Sequence, residues 1–397
     1  MNFIFISPHF PQTYWEFCHR LKQNGVTVLG IVDTPYDNLL PQLKEALTEC
    51  YYVGNLGDYD QVYRAVAYFA WKYGRIDWIE SNNEYWLEQD ARLRTDFNLH
   101  TGVRLSHIAD IKQKSRMKAI YQSHGIPTAR QCLAAKGLPE ALAFAAITGY
   151  PLIAKPNVGV GANNTYKIDS EEHLRDFFQQ EPNTDDYVIE EFITGNICSY
   201  DAVIGRDGES LFESMTVWPP SIMDIVNQQL DLFYYVDKDM PDALRDIGRK
   251  TVKAFNVFNR FVHLEYFRLD RDRTNLGHKG DFVALEVNMR PAGGYTPDMI
   301  NYAHSTDVYK IWADMVAFGE SHTAQGEQYY CAFASRRDIH HYAHTHDEVL
   351  QRYGQNMVMC ERMQGIMVSA MGEQMYTVRL KTKEEVNAFH DFVHEKA

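Results

Sequence analysis

Short apolar stretches alternate with helix-like ones over the first third of the chain. Residues 2–7, 27–32 and 76–80 read as strands, and residues 13–24 and 60–72 as the helices between them. That order predicts βαβ units on an open parallel sheet. The first strand runs into Ser7-Pro8-His9-Phe10-Pro11 and carries no GxGxxG, so a nicotinamide-binding role loses its main support.

Beyond that region the pattern predicts a helix over 106–123, stopped near Gly125 and Pro127, and a second over 138–148. An apolar strand then ends in Ala154-Lys155-Pro156. The glycine-bearing segment 157–164 follows, then a β-like 165–168, and the next helix starts only at Ser170. The order strand, loop, strand separates this segment from a Rossmann turn or a Walker A loop, both of which place their glycines at a helix N-terminus. Further strands are expected at 187–190, 199–204, 261–269 and 282–287, a helix at 242–255, and a smaller mixed unit after about residue 325.

At 397 residues, 45% hydrophobic and 23% charged, the chain can bury two to four packed cores. Its net charge of -14 opposes a nonspecific grip on nucleic acid. The six cysteines are scattered without a CxxC pair, which suits a reducing, cytoplasmic setting better than a zinc site or a stapled secreted scaffold. The N-terminus reads as a strand and not a signal peptide, and no apolar run approaches the ~20 residues of a membrane span, so no membrane partner is expected.

The chemistry lies in an ordered set of residues around the glycine segment: Lys114, Lys155, Gly159 and Gly161, Glu190 and Glu191, Glu265, and then Glu286, Asn288 and Arg290. Strand alternation in Ala284-Leu285-Glu286-Val287-Asn288-Met289-Arg290 puts the three polar side chains on one face and the apolar ones toward the core. The set resembles the ATP-grasp superfamily, most closely its carboxylate-amine ligases and the biotin carboxylase and carbamoyl phosphate synthetase branch, over roughly residues 1–320. The resemblance implies an α/β fold of four parts. These are a parallel-sheet domain before the ATP-grasp unit at 1–105, an N-lobe with a glycine-rich lid at 106–187, a C-lobe with the metal site at 188–322, and a small mixed α/β unit at 323–397.

It also implies roles. Lys114 and Lys155 face the ATP phosphates, Gly159, Gly161 and Ala162 form the phosphate lid, and Glu190, Glu191, Phe192 and Ile193 line the adenine hinge. In that hinge the Glu191 carbonyl and the Ile193 N–H read the base. Glu265, Glu286 and Asn288 hold Mg, as two ions with Mn as a substitute, and Arg290 with Lys155 is catalytic. Three positions depart from the family pattern: Ala162 replaces a common Ser, Asn164 replaces a third Gly, and Ile197 replaces the Glu that usually holds the ribose. Asn tolerates left-handed geometry, so the turn is kept. Glu190 or Glu191 is then the expected ribose partner.

The implied activity is a ligase that activates a carboxylate, an amino acid or small peptide, as an acyl phosphate and joins it to an amine. The alternatives are a carboxylase using bicarbonate and a catalytically silent nucleotide-binding scaffold. Small carboxylate and amine substrates are the expected partners, with self-association as a homodimer. Recognition is expected from 7–11, 80–84 and 292–295, at the carboxyl ends of strands. His340, His341, His344 and His346 lack a HExxH or Cys partner and read as an ordinary histidine cluster.

Overall fold

The computed structural model describes residues 1–159, 164–219, 230–363, 365 and 367–397, and among these the strands form three sheets. The first contains β1 (Asn2–Ile6), β2 (Thr27–Val32), β3 (Glu49–Tyr52) and β4 (Trp78–Glu80), all parallel, in the order β3-β2-β1-β4. Both faces are covered, as a parallel sheet requires. Phe3 and Phe5 pack with Phe17 of the Trp15–Gln23 helix, while Ile4 and Ile6 pack with Val62, Ala65, Val66 and Phe69 of the Tyr59–Tyr73 helix. That second helix is started by Asp58, whose side chain accepts from the N–H groups of Asp60 and Gln61. The expected βαβ domain is present, and Ser7 and Glu80 sit at the carboxyl ends of adjacent strands.

The second sheet contains β5 (Gln131–Leu133), β6 (Leu152–Pro156), β7 (Tyr166–Ile168) and β8 (Tyr187–Glu191), antiparallel in the order β5-β8-β6-β7. The helices Leu138–Thr148 and Glu171–Gln180 close its core with Ala141, Ala145, Leu174 and Phe177. The third sheet contains β9 (Gly195–Ile204), β10 (Ser210–Trp218), β11 (Phe233–Asp237), β12 (Arg260–Leu269), β13 (Phe282–Asn288), β14 (Tyr330–Arg336), β15 (Met357–Arg362) and β16 (Gln374–Leu380). It is antiparallel throughout, in the order β13-β12-β9-β10-β11-β14-β16-β15.

Two features differ from the expected layout. Residues 323–397 contribute β14, β15 and β16 to the same sheet as β9–β13, so their strands continue an existing sheet instead of building a separate one. The helix expected over 106–123 is broken into Ile108–Lys112 and Lys114–Ser123, with Gln113 extended at φ -95 and ψ 115. Asn157 makes the break: its carbonyl accepts from Lys114 N at 2.9 Å and its Oδ1 from Ser115 N at 2.9 Å, satisfying the first amides of the second helix. No described helix is long and apolar enough to cross a membrane.

Candidate functional site

The pairing of β12 with β13 sets Glu265 directly opposite Glu286 and His263 opposite Asn288. Side chains alternate along a strand, so these four share one face, while Val287 and Met289 are buried on the other. His263 lies between acids: its Nδ1 is 2.7 Å from Asp201 Oδ1 and its Nε2 is 3.0 Å from Glu265 Oε1. Asp201 also accepts from Ser199 Oγ at 2.6 Å and Thr216 Oγ1 at 2.8 Å. Burial alone would neutralise the imidazole, but Asp201 and Glu265 outweigh it and lift the pKa to about 9, so His263 is a cation at neutral pH.

Burial likewise pushes Glu265 up, yet the His263 hydrogen bond and charge, with Arg290 and Lys155, hold it below the usual carboxylate range. Glu286 is raised, by burial first and by the facing Glu265, against the pull of Lys114 and Lys155. Two carboxylates opposed across a strand pair repel unless a cation lies between them. Together with the Asn288 amide they supply hard oxygen donors of the kind Mg takes. Among the described residues no group of three or more His, Cys, Asp or Glu is gathered as an all-protein metal cage.

The second sheet and the Lys114–Ser123 helix bring ammonium groups. Lys155, on β6, places Nζ 3.0 Å from Glu190 Oε2, on β8, and Lys118 places its own Nζ 3.3 Å from the same oxygen. Lys118 is fully buried; burial brings its pKa down to about 8, although Glu190 pulls the other way. Burial pushes Glu190 up, and Lys118 and Lys155 together hold it below its ordinary value. Its other oxygen, Oε1, is buried with no hydrogen-bond partner. Lys118 was not singled out from the sequence, where it reads as one more helix lysine; its position four residues after Lys114, on the same helix face, was the available signal. Lys114 joins the two walls, donating to the Gly159 carbonyl at 3.0 Å and lying 3.4 Å from Glu286 Oε1.

Gly159 has φ 144, open to glycine and strained for other residues, and Asn164 takes φ 55, the left-handed turn expected of it. Gly161 and Ala162 lie outside the described residues. Both oxygens of the Glu191 side chain are engaged by Arg130, Oε1 accepting from its backbone N–H at 2.8 Å and Oε2 from its Nη2 at 2.7 Å. Arg273 donates to the Phe192 carbonyl at 3.0 Å, and Ile193 is buried. Ile197 packs into the core opposite Trp218 and Phe267.

Arg290 donates through Nη1 to the Pro291 carbonyl at 2.8 Å and holds Nε 3.6 Å from Glu84 Oε2. Glu84 pairs through Oε1 with Lys112 at 3.0 Å, while its buried Oε2 accepts no hydrogen bond. Glu80, in the same segment, is instead enclosed by two arginines, Arg94 at 2.8 Å and Arg260 at 2.9 Å, and cannot face a substrate. The histidines do not converge: His340 pairs with Asp231, His344 with Glu395, and His346 with the Tyr376 hydroxyl.

The chain superposes on the L-amino acid ligase from Bacillus licheniformis with a TM-score of 0.69, covering 98% of this chain and 95% of that one at 16% identity. The chain has the ATP-grasp fold. Biotin carboxylases share it, including the Hydrogenobacter thermophilus 2-oxoglutarate carboxylase domain solved with MgADP and bicarbonate, at a TM-score of 0.69 and 15% identity over 97% of this chain and 87% of that one. By sequence, the chain is 26% identical over 237 residues to an L-arginine-specific L-amino acid ligase of Bacillus subtilis, covering 58% of this chain and 55% of that ligase. It is 23% identical over 197 residues to a D-alanine–D-alanine ligase of Francisella philomiragia subsp. philomiragia, covering 48% of this chain and 61% of that one. The matches thus span between half and two thirds of these curated relatives. No family model matches. Within this ATP-grasp frame, Glu265 and Glu286 stand on the large sheet, Lys155 and Glu190 on the small one, and Lys114 and Lys118 on the Lys114–Ser123 helix.

Proposed function

We propose that the protein is an ATP- and Mg-dependent carboxylate-amine ligase acting on an amino acid or small peptide, releasing ADP and phosphate. The observation that carries this reading is the meeting of Glu265 and Glu286, opposed across β12 and β13, with the ammonium of Lys114 at 3.4 Å. Lys114 and Lys155 would neutralise the phosphates without blocking the line of attack at the γ-phosphorus. Glu190, with Oε1 unpartnered, offers a buried acceptor to an adenine N–H, and Glu191, Phe192 and Ile193 line the hinge. Gly159, Gly161 and Ala162 are assigned to the phosphate lid. Glu265, Glu286 and Asn288 would hold the metal, two ions in this reading with Mn able to substitute, and bound Mg supplies charge neutralisation along the triphosphate.

The substrate carboxylate attacks the γ-phosphorus, and an acyl phosphate forms as ADP leaves. The amine then adds to the acyl carbon and displaces phosphate, giving an amide. Arg290 stabilises the developing negative charge in both steps as a fixed guanidinium. Glu84 Oε2, buried, ion-paired with Arg290 Nε at 3.6 Å and accepting no hydrogen bond, gives a substrate ammonium an acceptor beside the cation that faces its carboxylate. That pairing favours an amino acid over bicarbonate, the substrate of the carboxylase alternative. The acids and arginine of the site argue against a silent scaffold. Six free thiols suit a cytoplasmic setting, and self-association as a homodimer belongs to the same reading.

Oxygen-18 placed in the substrate carboxylate is expected in the released phosphate, and hydroxylamine is expected to trap a hydroxamate. ATP hydrolysis that ignores every carboxylate, with label only from water, removes the ligase reading. Phosphate labelled from bicarbonate with no amino-acid requirement selects the carboxylase.

A further inference from the structure

A second charged cluster lies behind Arg290, in the seam between the N-terminal sheet and the large one. Glu80 ends β4, and its carboxylate is gripped by Arg94 Nη2 at 2.8 Å and Arg260 Nη2 at 2.9 Å, all three side chains buried. Glu80 Oε1 also accepts from the N–H groups of Ser81 and Asn82 at 3.2 and 3.3 Å. Arg94 belongs to the N-terminal domain alone, donating to the Ile79 and Val103 carbonyls. Arg260 crosses the seam: it starts β12, and its Nε and Nη2 donate to the Met289 carbonyl at 3.1 and 3.0 Å. Its Nη1 has no partner, so Glu80 and Met289 alone orient this guanidinium. Gly102 leaves the space it needs, since a Cβ there would lie 2.9 Å from Arg260 Nη1 and from Arg94 Cζ.

Met289 immediately precedes Arg290, at the point where β13 has ended and no ladder hydrogen bond fixes the chain. We propose that Arg260 is a positioning residue: by tying the Met289 carbonyl to Glu80 it sets where Arg290 presents its guanidinium, so the N-terminal domain fixes the geometry of the transfer step. This rests on the ligase reading given above. A fork can reach a carbonyl and a carboxylate at once, whereas a lysine ammonium of shorter reach would keep the charge beside Glu80 and lose the hold on Met289. A misplacement of about 1 Å at a reacting centre can cost on the order of 100-fold in rate.

Arg260→Lys tests this, with Glu80→Gln as the second variant should the first fold poorly. Each is expected to lower kcat by roughly 10- to 100-fold, while the Kd for MgADP by calorimetry and the KM for ATP stay near wild type. In an Arg290→Lys background the same change is expected to cost nothing further. Labelling of Arg290 by phenylglyoxal, followed by peptide mass spectrometry on the nucleotide-free protein, is expected to accelerate, and this readout needs no turnover. Wild-type kcat in a folded variant, equal losses in kcat and MgADP affinity, full additivity with Arg290→Lys, or unchanged labelling overturns the proposal. Failure of the ligase reading shows separately, as Arg290→Lys leaving ATP turnover intact or as the missing oxygen-18 transfer.

Discussion

The two walls of the site solve opposite electrostatic problems. On the large sheet, Glu265 and Glu286 face each other with one imidazolium, His263, shared between Glu265 and Asp201. Three carboxylates against one cation leave that wall negative. On the other wall, Lys155 of the small sheet and Lys118 of the Lys114–Ser123 helix share one carboxylate, Glu190, and the wall is left positive. Each wall is buried enough for its surplus to matter, and the surpluses differ in sign. In the proposed reading the difference divides the ligands: a metal cation would relieve the first wall and a phosphate chain the second, with Lys114 standing between them.

The sharpest way to break the contrast is to discharge the acidic wall. Glu286→Gln is nearly isosteric and removes the charge that Glu265 repels, so melting temperature is expected to hold or rise while turnover collapses by about 100-fold or more, as when a charge-stabilising group is lost. Normal turnover across a Mg titration takes Glu286 out of the metal site. Next in size is Lys155→Ala on the basic wall. Calorimetry with MgADP should show a loss of about 2 to 4 kcal/mol, more than an exposed ion pair is worth, and an unchanged titration removes Lys155 from the phosphates.

The smallest effect concerns Lys118 and is read from stability against pH. Its folded pKa of about 8 lies below the ordinary lysine value of 10.5, so between those values the unfolded chain binds more protons and stability rises with pH. Relative to Lys118→Met, the wild type is expected to gain at most ~3 kcal/mol as pH climbs through that window. A difference flat in pH means that Lys118 keeps an ordinary pKa.

Much of the candidate site was legible because several of its residues lie at strand ends whose period is visible in the chain. Glu286, Asn288 and Arg290 alternate with Leu285, Val287 and Met289, and that alternation survives in the fold. Lys155 follows an apolar run, and its strand is where it was expected. The same period-two logic could have found His263, two residues before Glu265 on the same face. Lys118 was hidden because a lysine on a helix is usually solvated, and only tertiary packing buries this one. The break at Gln113 carries no Gly or Pro signal; it is made by Asn157, 44 residues away. The joining of β14–β16 to β11 was illegible for the same reason, since strand partners far apart in sequence leave no local mark.

The position of β11 within the large sheet bears on how the protein is made. β9, β10, β12 and β13 can pair as soon as they leave the ribosome, but β11 has one flank bare until residues 330–336 arrive to form β14. In that interval Phe233-Tyr234-Tyr235-Val236 presents an apolar edge with unpaired amides, the kind of template on which nascent chains stick to one another. Synthesis slowed between codons 237 and 330 is therefore expected to trade soluble yield for inclusion bodies, and a chaperone that shelters strand edges during that interval to restore it.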